Sequence, residues 1–304
     1  MEVTHEVLKE RLGWSLNQKV DHSLYIIESA LAHTNGNAYV SFSGGKDSVI
    51  LLYLSRIIKP DIKAVFFNTT NEFPEIYQFL KEVDCLKINP EINLKTVLTK
   101  YGFPLVSKEQ AQYIREARTT KSSKLLHLRL HGRKGNQGKI SNKWQHLIYA
   151  PFNISEKCCH ILKKYPAYKF EKQNKLLPII GTSVNESRLR KQKYLSTGCN
   201  AFSVNRPASY PLSIWNEKDK WQFIRENNIL YCSVYDKGET QTGCMICGFG
   251  CHRDDRFIRL KENHPKAFEI GMNYTNNNIP YHKAIQYSIN SPYPILIRTK
   301  FPPL

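Results

Sequence analysis

The sequence predicts an α/β fold in which a parallel sheet carries helices on both faces and a cysteine-rich subdomain follows. Residues 38–67 run from an apolar stretch through a glycine turn and an apolar helix to a second apolar stretch, the order of a βαβ unit. The segment LLPIIG at 176–181 predicts another buried strand. With 304 residues, 41% of them hydrophobic, the chain can bury a sizeable core, which excludes a disordered protein.

The charge balance is strongly basic. Lys and Arg number 44 against 26 Asp and Glu, a formal net charge of +18. Such a surface attracts polyanions, and nucleic acids and nucleotides fit better than anionic lipid because no long basic amphipathic helix stands out. No apolar run approaches the roughly 18 residues of a membrane helix, and the N-terminal MEVTHEVLKE lacks an apolar signal region. We therefore expect a cytoplasmic protein without a membrane partner.

The secondary structure follows from the apolar pattern in chain order. Residues 1–35 predict helices with an apolar stripe through Leu24, Ile27 and Leu31. Further strands are predicted at 38–40, 62–67 and 176–181, and further helices at 49–58 and 216–227. Asn216 is the expected cap of the last helix. After Gly271 the chain is rich in Asn, Pro and Tyr, which predicts irregular structure or a wrapping tail.

These elements predict three segments. They are an N-terminal helical segment at 1–35, a nucleotide-binding α/β domain at 36–204, and a C-terminal helical and cysteine-cluster region with a tail at 205–304. The middle segment contains an insertion at about 117–146, whose glycine-rich centre predicts a flexible loop. Eight cations and no acid lie in this insertion: Arg118, Lys121, Lys124, Arg129, Arg133, Lys134, Lys139 and Lys143. Both a solvated insertion and a clamp on a nucleic-acid backbone fit this pattern.

A glycine turn joins the strand at 38–40 to the following helix and predicts a nucleotide-phosphate site. Its residues are Ser43, Gly44, Gly45, Lys46, Asp47 and Ser48. Glycines let backbone amides approach an anion, and the helix start adds a favourable dipole. The serines offer hydroxyl donors, Lys46 offers charge, and the Asp47 carboxylate suits Mg²⁺. The spacing is not that of a Walker loop. We expect ATP and Mg²⁺ here, with Lys46 and Asp47 as catalytic residues.

The turn SGGKDS resembles the signature of the PP-loop ATP pyrophosphatases. Later segments resemble, in the same order, those of the phosphoadenylylsulfate (PAPS) reductase family. These segments lie at 67–75, 156–166, 181–188 and 211–247, so the resemblance covers about residues 38–265. The tandem cysteines and the later CxxC are similar to the iron–sulfur branch, which includes proteins of tRNA thiolation and DNA phosphorothioation.

The resemblance implies roles for individual residues. The phosphates would be held by Ser43, Gly44, Gly45, Asp47 and Ser48. Asn68 and Thr69 would lie at the adenosine end, and Gly181, Glu186 and Arg188 would close the site. Position 183 is a serine where reductases of the family place a basic residue, which weakens the case for a sulfonucleotide substrate.

Clustered cysteines predict a metal centre. Cys244, Cys247 and Cys251 lie within eight residues, and a fourth ligand would come from Cys158 or Cys159. Four thiolates suit zinc or an iron–sulfur cluster, and the resemblance favours [4Fe–4S] over Zn²⁺. The sequence leaves open which four of the five cysteines bind.

Cys199 is a candidate catalytic cysteine. It follows the basic run at 188–193, and a positive field lowers the pKa of a thiol and makes it more nucleophilic. Cys199 would then carry sulfur or serve as a metal ligand. A buried core thiol is the alternative interpretation.

Three functions are compatible with these features. The first is ATP-dependent activation of a nucleic acid, DNA or tRNA, for sulfur insertion, with pyrophosphate as product and a cysteine desulfurase as one conceivable sulfur donor. The second is reduction of adenylyl sulfate or phosphoadenylyl sulfate to sulfite. Such reductases use a cysteine near the C-terminus, whereas no cysteine follows Cys251 in this sequence. The third is an inactive nucleic-acid-binding relative, which the intact glycine turn disfavours.

Overall fold

A computed structural model describes residues 3–289 and shows a six-stranded sheet. The strands of this sheet are β1 (Ala38–Phe42), β2 (Lys63–Phe67), β3 (Leu86–Ile88), β4 (Leu177–Ile180), β5 (Asn200–Ala201) and β6 (Ala208–Ser209). Their order is β3-β2-β1-β4-β6-β5, and neighbours are parallel except at the β5–β6 edge. A separate antiparallel pair consists of β7 (Thr275–Asn276) and β8 (Ile279–Pro280).

Helices surround this sheet. They are α1 (His5–Leu12), α2 (Leu16–His33), α3 (Lys46–Ile58), α4 (Pro74–Phe79), α5 (Leu94–Tyr101), α6 (Lys108–Thr119), α7 (Ser123–His131), α8 (Lys157–Cys159), α9 (Tyr165–Asn174), α10 (Arg188–Thr197), α11 (Glu217–Glu226), α12 (Arg256–Asn263), α13 (Pro265–Met272) and α14 (Tyr281–Ile289). A π-helical turn, His160–Lys164, joins α8 to α9.

The central strand β1 is buried on both faces. Successive side chains of a strand alternate between the faces of the sheet. Tyr39, Val65 and Phe67 point to one face and pack with Ala167 and Phe170 of α9. On the other face, the larger core joins the strands to α2 and α3. The predicted α/β class, with a parallel sheet and helices on both faces, is confirmed.

Several predicted elements occur where the apolar pattern placed them. Two helices, α1 and α2, occur where helices were predicted before residue 36, and α3 ends at Ile58 before Pro60. Asn216 caps α11, since its side-chain oxygen accepts a hydrogen bond from the backbone nitrogen of Asp219 at 2.9 Å. The caps predicted from side-chain chemistry therefore set the start of this helix.

Two parts of the chain differ from expectation. The prediction of irregular structure after Gly271 is wrong for 281–289, which form α14. Its buried residues Tyr281, Ala284, Ile285 and Ser288 recur at helical spacing. Residues 290–304, where a wrapping tail was predicted, lie outside the described residues. The basic insertion contains the helix α7, whose leucines are only partly buried.

Among residues 3–289, none of the helices combines the length and the apolar composition needed to cross a bilayer.

Candidate functional site

The strand order creates a crevice beside β1. The chain passes from β1 to β2 and β3 on one side, and later adds β4 on the other side. Ligands of open α/β sheets bind at such a switch point, at the carboxyl ends of the strands. The loop after β1 meets the loop after β4 here, because a β-carbon on Gly181 would lie 2.8 Å from the carbonyl oxygen of Asp47. Glycine at 181 permits this close approach.

The predicted phosphate loop is ordered by its own serines. The Ser43 backbone nitrogen donates a hydrogen bond to Ser48 Oγ at 3.1 Å, and Ser48 Oγ donates to the Gly45 carbonyl at 2.8 Å. Gly44 has a φ of 72°, in the left-handed region that favours glycine. Gly45 is the N-cap of α3 and has no side chain to bind the first amides of the helix. The loop therefore presents the helix start to the crevice, the arrangement typical of anion sites.

A second chain segment, residues 235–242, covers this loop. The Lys46 backbone nitrogen donates to the Tyr235 hydroxyl at 2.9 Å, and Lys46 Nζ lies 3.3 Å from the Thr240 carbonyl oxygen. A β-carbon on Gly45 would collide with Thr242 Oγ1. Burial raises the pKa of Tyr235 to about 12, so its hydroxyl stays protonated at neutral pH.

Two buried lysines meet two carboxylates beside the loop. Lys46 and Lys220 have side chains exposed by 2% and 1%. Glu217 lies 3.0 Å from both ammonium groups, and Asp47 forms ion pairs with both. Although partial burial opposes it, the hydrogen bond and charge of Lys220, with those of Lys46, lower the pKa of Glu217.

Three residues of this site were not among those predicted from the sequence: Lys220, Glu217 and Tyr235. Positions 217 and 220 are three residues apart, so they share a face of the capped helix α11. This spacing was readable, but nothing in the sequence shows that the face turns toward Asp47. Lys220 Nζ also lies 3.4 Å from Ser183 Oγ. Positive charge is thus present beside position 183 although the residue there is a serine.

A cavity of about 630 Å³ opens next to these groups. It is lined by residues of two loops and of α11 with its N-cap: Ser183, Asn185, Glu186, Asn216, Glu217, Trp221, Tyr235, Asp236, Gly238, Glu239, Thr240 and Gln241. The predicted residue Glu186 is among them, and its carboxylate accepts a hydrogen bond from the Ser183 nitrogen at 2.6 Å. Arg188 begins α10 and is exposed, whereas Arg190 and Lys193 line a separate cavity of about 270 Å³.

Asn68 and Thr69 follow β2 and are buried. The Asn68 side chain donates to Asn89 at 2.8 Å and accepts from the Tyr77 hydroxyl at 2.8 Å. Thr69 Oγ1 donates to Glu72 at 2.7 Å and lies 3.8 Å from Cys244 Sγ. These two residues therefore shape the loop after β2 and connect it to the cysteines.

The predicted cysteine ligands come from two distant parts of the chain. Cys158 and Cys159 lie on α8, and the other three lie in the loop 244–251. This loop is held by backbone bonds: Met245 donates to the Asn71 carbonyl at 2.8 Å, and Gly250 donates to that of Val106 at 2.6 Å.

The thiols influence one another electrostatically. The hydrogen bond between Cys158 and Cys159 raises the pKa of Cys158 and lowers that of Cys159 to about 6, with help from Lys108. The charges of Cys247 and Cys244 also act on Cys158. Burial raises the pKa of Cys251 to about 12, and the charges of Arg256 and Cys247 also act on it.

Within residues 3–289, no three His, Cys, Asp or Glu side chains are arranged as ligands of one metal ion. The donor set nevertheless suits a thiolate-bound centre, because Cys159, Cys244 and Cys247 act electrostatically on Cys158 and the cation Lys108 acts on Cys159. Lys108 is hydrogen bonded to Cys159, and Lys163 acts on both Cys159 and Cys244. Such cations stabilise the negative charge of deprotonated thiols.

The predicted low pKa of Cys199 is wrong. Its side chain is 3% exposed, and burial raises its pKa to about 11. Arg11 is the positive charge that acts on it, rather than the basic run of α10. The structure therefore shows Cys199 as a buried neutral thiol, in the core cluster.

Some of the cations in the basic insertion make contacts within the protein. Arg129 pairs with Glu116 at 2.6 Å, and Arg118 donates to the Phe152 carbonyl at 2.6 Å. Lys121, Lys124 and Lys134 are exposed. The insertion also contacts the cysteine loop, because the rings of Trp144 and His252 lie 5.2 Å apart.

Comparison with known proteins identifies sequence relatives. An uncharacterized protein of Methanocaldococcus jannaschii is 24% identical over 75% of this chain, which spans 45% of that protein's length. Adenosine 5'-phosphosulfate reductase of Bacillus mycoides is 24% identical over 81% of this chain and 88% of its own. Phosphoadenosine 5'-phosphosulfate reductase of Xanthomonas euvesicatoria is 24% identical over 75% and 79%.

Solved structures give weaker similarity. The Candida auris PAPS reductase, a phosphate complex, has a TM-score of 0.44 and 15% identity over 80% of this chain and 97% of its own. The U34-tRNA thiolase NcsA of Methanococcus maripaludis, with its [4Fe–4S] cluster, has a TM-score of 0.39 and 14% identity over 94% and 86%. The fold assignment rests on the strand order described above.

The sequence profile of the phosphoadenosine phosphosulfate reductase domain matches residues 37–122 and 85–249. These residues include the sheet, the phosphate loop and the cysteines of α8 and of the CxxC motif. The chain therefore belongs to the phosphoadenosine phosphosulfate reductase domain family.

Proposed function

We propose that this protein is an ATP-dependent, pyrophosphate-releasing enzyme that activates a nucleic acid for sulfur insertion. One observation carries the proposal: the segment that touches the phosphate loop through Thr242 touches Thr69 through Cys244. Two residues of extended chain span at most about 7 Å. The predicted phosphate loop and the Cys244 thiol therefore contact the same short segment, which supports a reaction that uses both.

The residues divide the work as follows. The loop amides, Lys46 and Lys220 would bind the phosphates of ATP, and the Asp47 carboxylate would hold Mg²⁺. An oxygen of the acceptor attacks the α-phosphorus, the bond to the β-phosphate oxygen breaks, and pyrophosphate leaves. Sulfur at the oxidation level of sulfide then displaces AMP from the activated position. The Cys199 thiol, buried and protonated, takes no part in this scheme.

The cysteines would hold a [4Fe–4S] cluster through Cys158, Cys159, Cys244 and Cys247. A cluster at this place would either bind sulfur or donate an electron. This choice leaves Cys251 out, because Cys159, Cys247 and Cys244 are the thiols that act on the pKa of Cys158. Zinc bound to the same thiolates is the alternative.

A nucleic-acid acceptor is supported by the position of the basic insertion. Trp144, at its C-terminal end, contacts His252 beside Cys251, and Lys143 Nζ lies 4.8 Å from the Trp144 ring centroid. A phosphate backbone bound along Lys121, Lys124 and Lys134 would therefore lead toward the thiols. The net charge of +18 points the same way. A cysteine desulfurase is the partner class that would supply sulfur.

Pyrophosphate release measures the proposed activity. The anaerobic protein is mixed with ATP, Mg²⁺ and tRNA or DNA, and pyrophosphate is measured. Asp47→Ala should lower the rate by about 100-fold or more, as loss of a charge-stabilising group does. Asp61→Ala is the matched control, because Asp61 is an exposed carboxylate paired only with Lys59 in the described contacts. Equal rates for wild type and Asp47→Ala would refute the assigned site.

A second candidate function is supported by the named relatives, which include adenosine 5'-phosphosulfate reductases. Lys220 beside Ser183 supplies a cation for a sulfonucleotide. Sulfite formed from adenylyl sulfate with thioredoxin, without pyrophosphate release from ATP, would establish this reductase instead.

Metal analysis tests the cluster. The anaerobic protein should contain iron and acid-labile sulfide, and Cys244→Ser should lose both. Cys251→Ser should keep them. A colourless protein with zinc alone would rule out the cluster, and loss of iron in Cys251→Ser would change the assigned ligands.

A further inference from the structure

Two lysine side chains are buried side by side next to the phosphate loop. Lys46 is the first residue of α3, and Lys220 lies in the first turns of α11, at exposures of 2% and 1%. A buried ammonium group is costly unless an anion neutralises it. Their burial together therefore marks a place built for negative charge.

The two carboxylates that neutralise these lysines differ in how freely their side chains can move. Asp47 is only 24% exposed, and its backbone is fixed against Gly181. Glu217 is 61% exposed and bridges the two ammonium groups, with one oxygen 3.0 Å from Lys46 Nζ and the other 3.0 Å from Lys220 Nζ. Glu217 is thus the more exposed of the two carboxylates and lies outside the loop, so it can turn into water without disturbing the loop.

A bridging carboxylate makes the same contacts that a phosphate group would make. Both present oxygens that accept charge-assisted hydrogen bonds from two ammonium donors. The Tyr235 hydroxyl, which accepts from the Lys46 nitrogen, lies at the same helix start. With both carboxylates in place, two positive and two negative charges cancel. With Glu217 turned away, one positive charge is left to attract an anion.

We propose that Lys46 and Lys220 together bind the terminal phosphates of the nucleotide, and that Glu217 is a displaceable anion that competes with them for this place. The inference deepens the proposed function and rests on it for the nucleotide. It assigns a phosphate-binding role to a residue of α11, outside the glycine turn. It also assigns Glu217 a role in setting the affinity.

Equilibrium binding separates these roles. Inorganic pyrophosphate, ATP and AMP are titrated into the full chain by calorimetry. Glu217→Gln should bind pyrophosphate and ATP about 5-fold more tightly, the size expected for removing one partly exposed competing charge. Lys220→Met should bind both about 10-fold more weakly or worse. AMP, which has no terminal phosphates, should bind all variants equally.

Glu226→Gln is the matched control for charge, because Glu226 is exposed at the far end of the same helix and hydrogen bonded to Gln222. It should leave all three affinities unchanged. If Lys220→Met does not fold, the comparison of Glu217→Gln with Glu226→Gln decides alone.

Unchanged pyrophosphate affinity in Glu217→Gln overturns the inference, as does an equal gain in Glu226→Gln or in AMP binding. A protein that releases pyrophosphate from ATP but shows no Glu217 effect keeps its proposed function and loses this inference. A protein that binds pyrophosphate as expected but never ATP loses the proposed function, while the anion site stands.

Discussion

Burial decides the chemistry of Cys199. Its sulfur lies 3.7 Å from His22 Nε2, a pair that could in principle form a thiolate and an imidazolium. Burial instead raises the pKa of Cys199 to about 11 and, with Arg11, lowers the pKa of His22 to about 4. Both side chains are therefore neutral at pH 7. Sequence could show the nearby basic run but not this enclosure.

Alkylation tests this state. At pH 7 the native protein should leave Cys199 unmodified by iodoacetamide, and urea should expose it, as peptide mass spectrometry would show. Because the folded pKa lies above the ordinary value of 9.0, its stabilising contribution is complete below about pH 9 and is lost as pH rises to about 11. The loss is at most about 2–3 kcal/mol. Rapid native labelling would contradict the burial.

Among the helices, α2 and α11 are joined by one buried ion pair. Lys19 Nζ lies 2.7 Å from Asp219 Oδ2, and the Lys19 side chain is 1% exposed. The same oxygen accepts a hydrogen bond from the Asn216 nitrogen at 2.8 Å, within the capping box of α11. One carboxylate therefore fixes both the start of α11 and its position against α2. That position determines where Glu217 and Lys220 lie.

Removing one partner of the Lys19–Asp219 ion pair should strongly destabilise the folded protein. Lys19→Met leaves the buried Asp219 charge without its partner, and the free energy of unfolding should fall by about 3–5 kcal/mol. The double variant Lys19→Met, Asp219→Asn removes both charges but keeps the capping oxygen, and it should recover most of the loss. Urea denaturation of the four proteins in the cycle measures the coupling. Strictly additive effects would show that the pair contributes nothing.

The basic insertion makes its own prediction at this scale. Replacing Lys121, Lys124 and Lys134 with Gln should reduce the salt dependence of nucleic-acid binding by about 2–3 in the log–log slope, because each phosphate contact contributes about 0.7–0.9. Fluorescence anisotropy at several salt concentrations measures the slope. Replacing the exposed Lys9, Lys63 and Lys266 removes the same charge elsewhere. Equal slopes for both triple variants would place the nucleic acid on another surface.

Over the whole molecule, features set by local sequence patterns could be predicted more readily than features set by tertiary contacts. The strands β1, β2 and β4 and the cap of α11 follow from apolar runs and one side-chain hydrogen bond, so sequence was sufficient. The pairing of Lys220 with Asp47 joins residues 173 positions apart, and no local pattern contains it. The antiparallel β5–β6 edge was missed for the same reason, because packing decides it, whereas α14 was missed although its buried residues recur at helical spacing.

The three predicted segments contribute to one core, which includes Leu8, Val40 and Tyr281. Their limits stay a prediction, but the shared packing explains how residues of the second and third segments reach a single crevice, while Lys19 of the first segment holds α11 in place. Loop residues after β1, β2 and β4 converge because parallel strands end at the same edge. Lys220 joins them because α11 packs on α3.

One short peptide, from Tyr235 to Cys244, rests on the amide of Lys46 at one end and on Thr69 at the other. A ligand that displaces one end of this peptide changes the free energy needed to displace the other end. Thermodynamic linkage requires that the two effects be equal. Oxidation of Cys244 would then change the affinity of the phosphate loop for a nucleotide. A bound nucleotide would in turn change how readily oxidants reach Cys244.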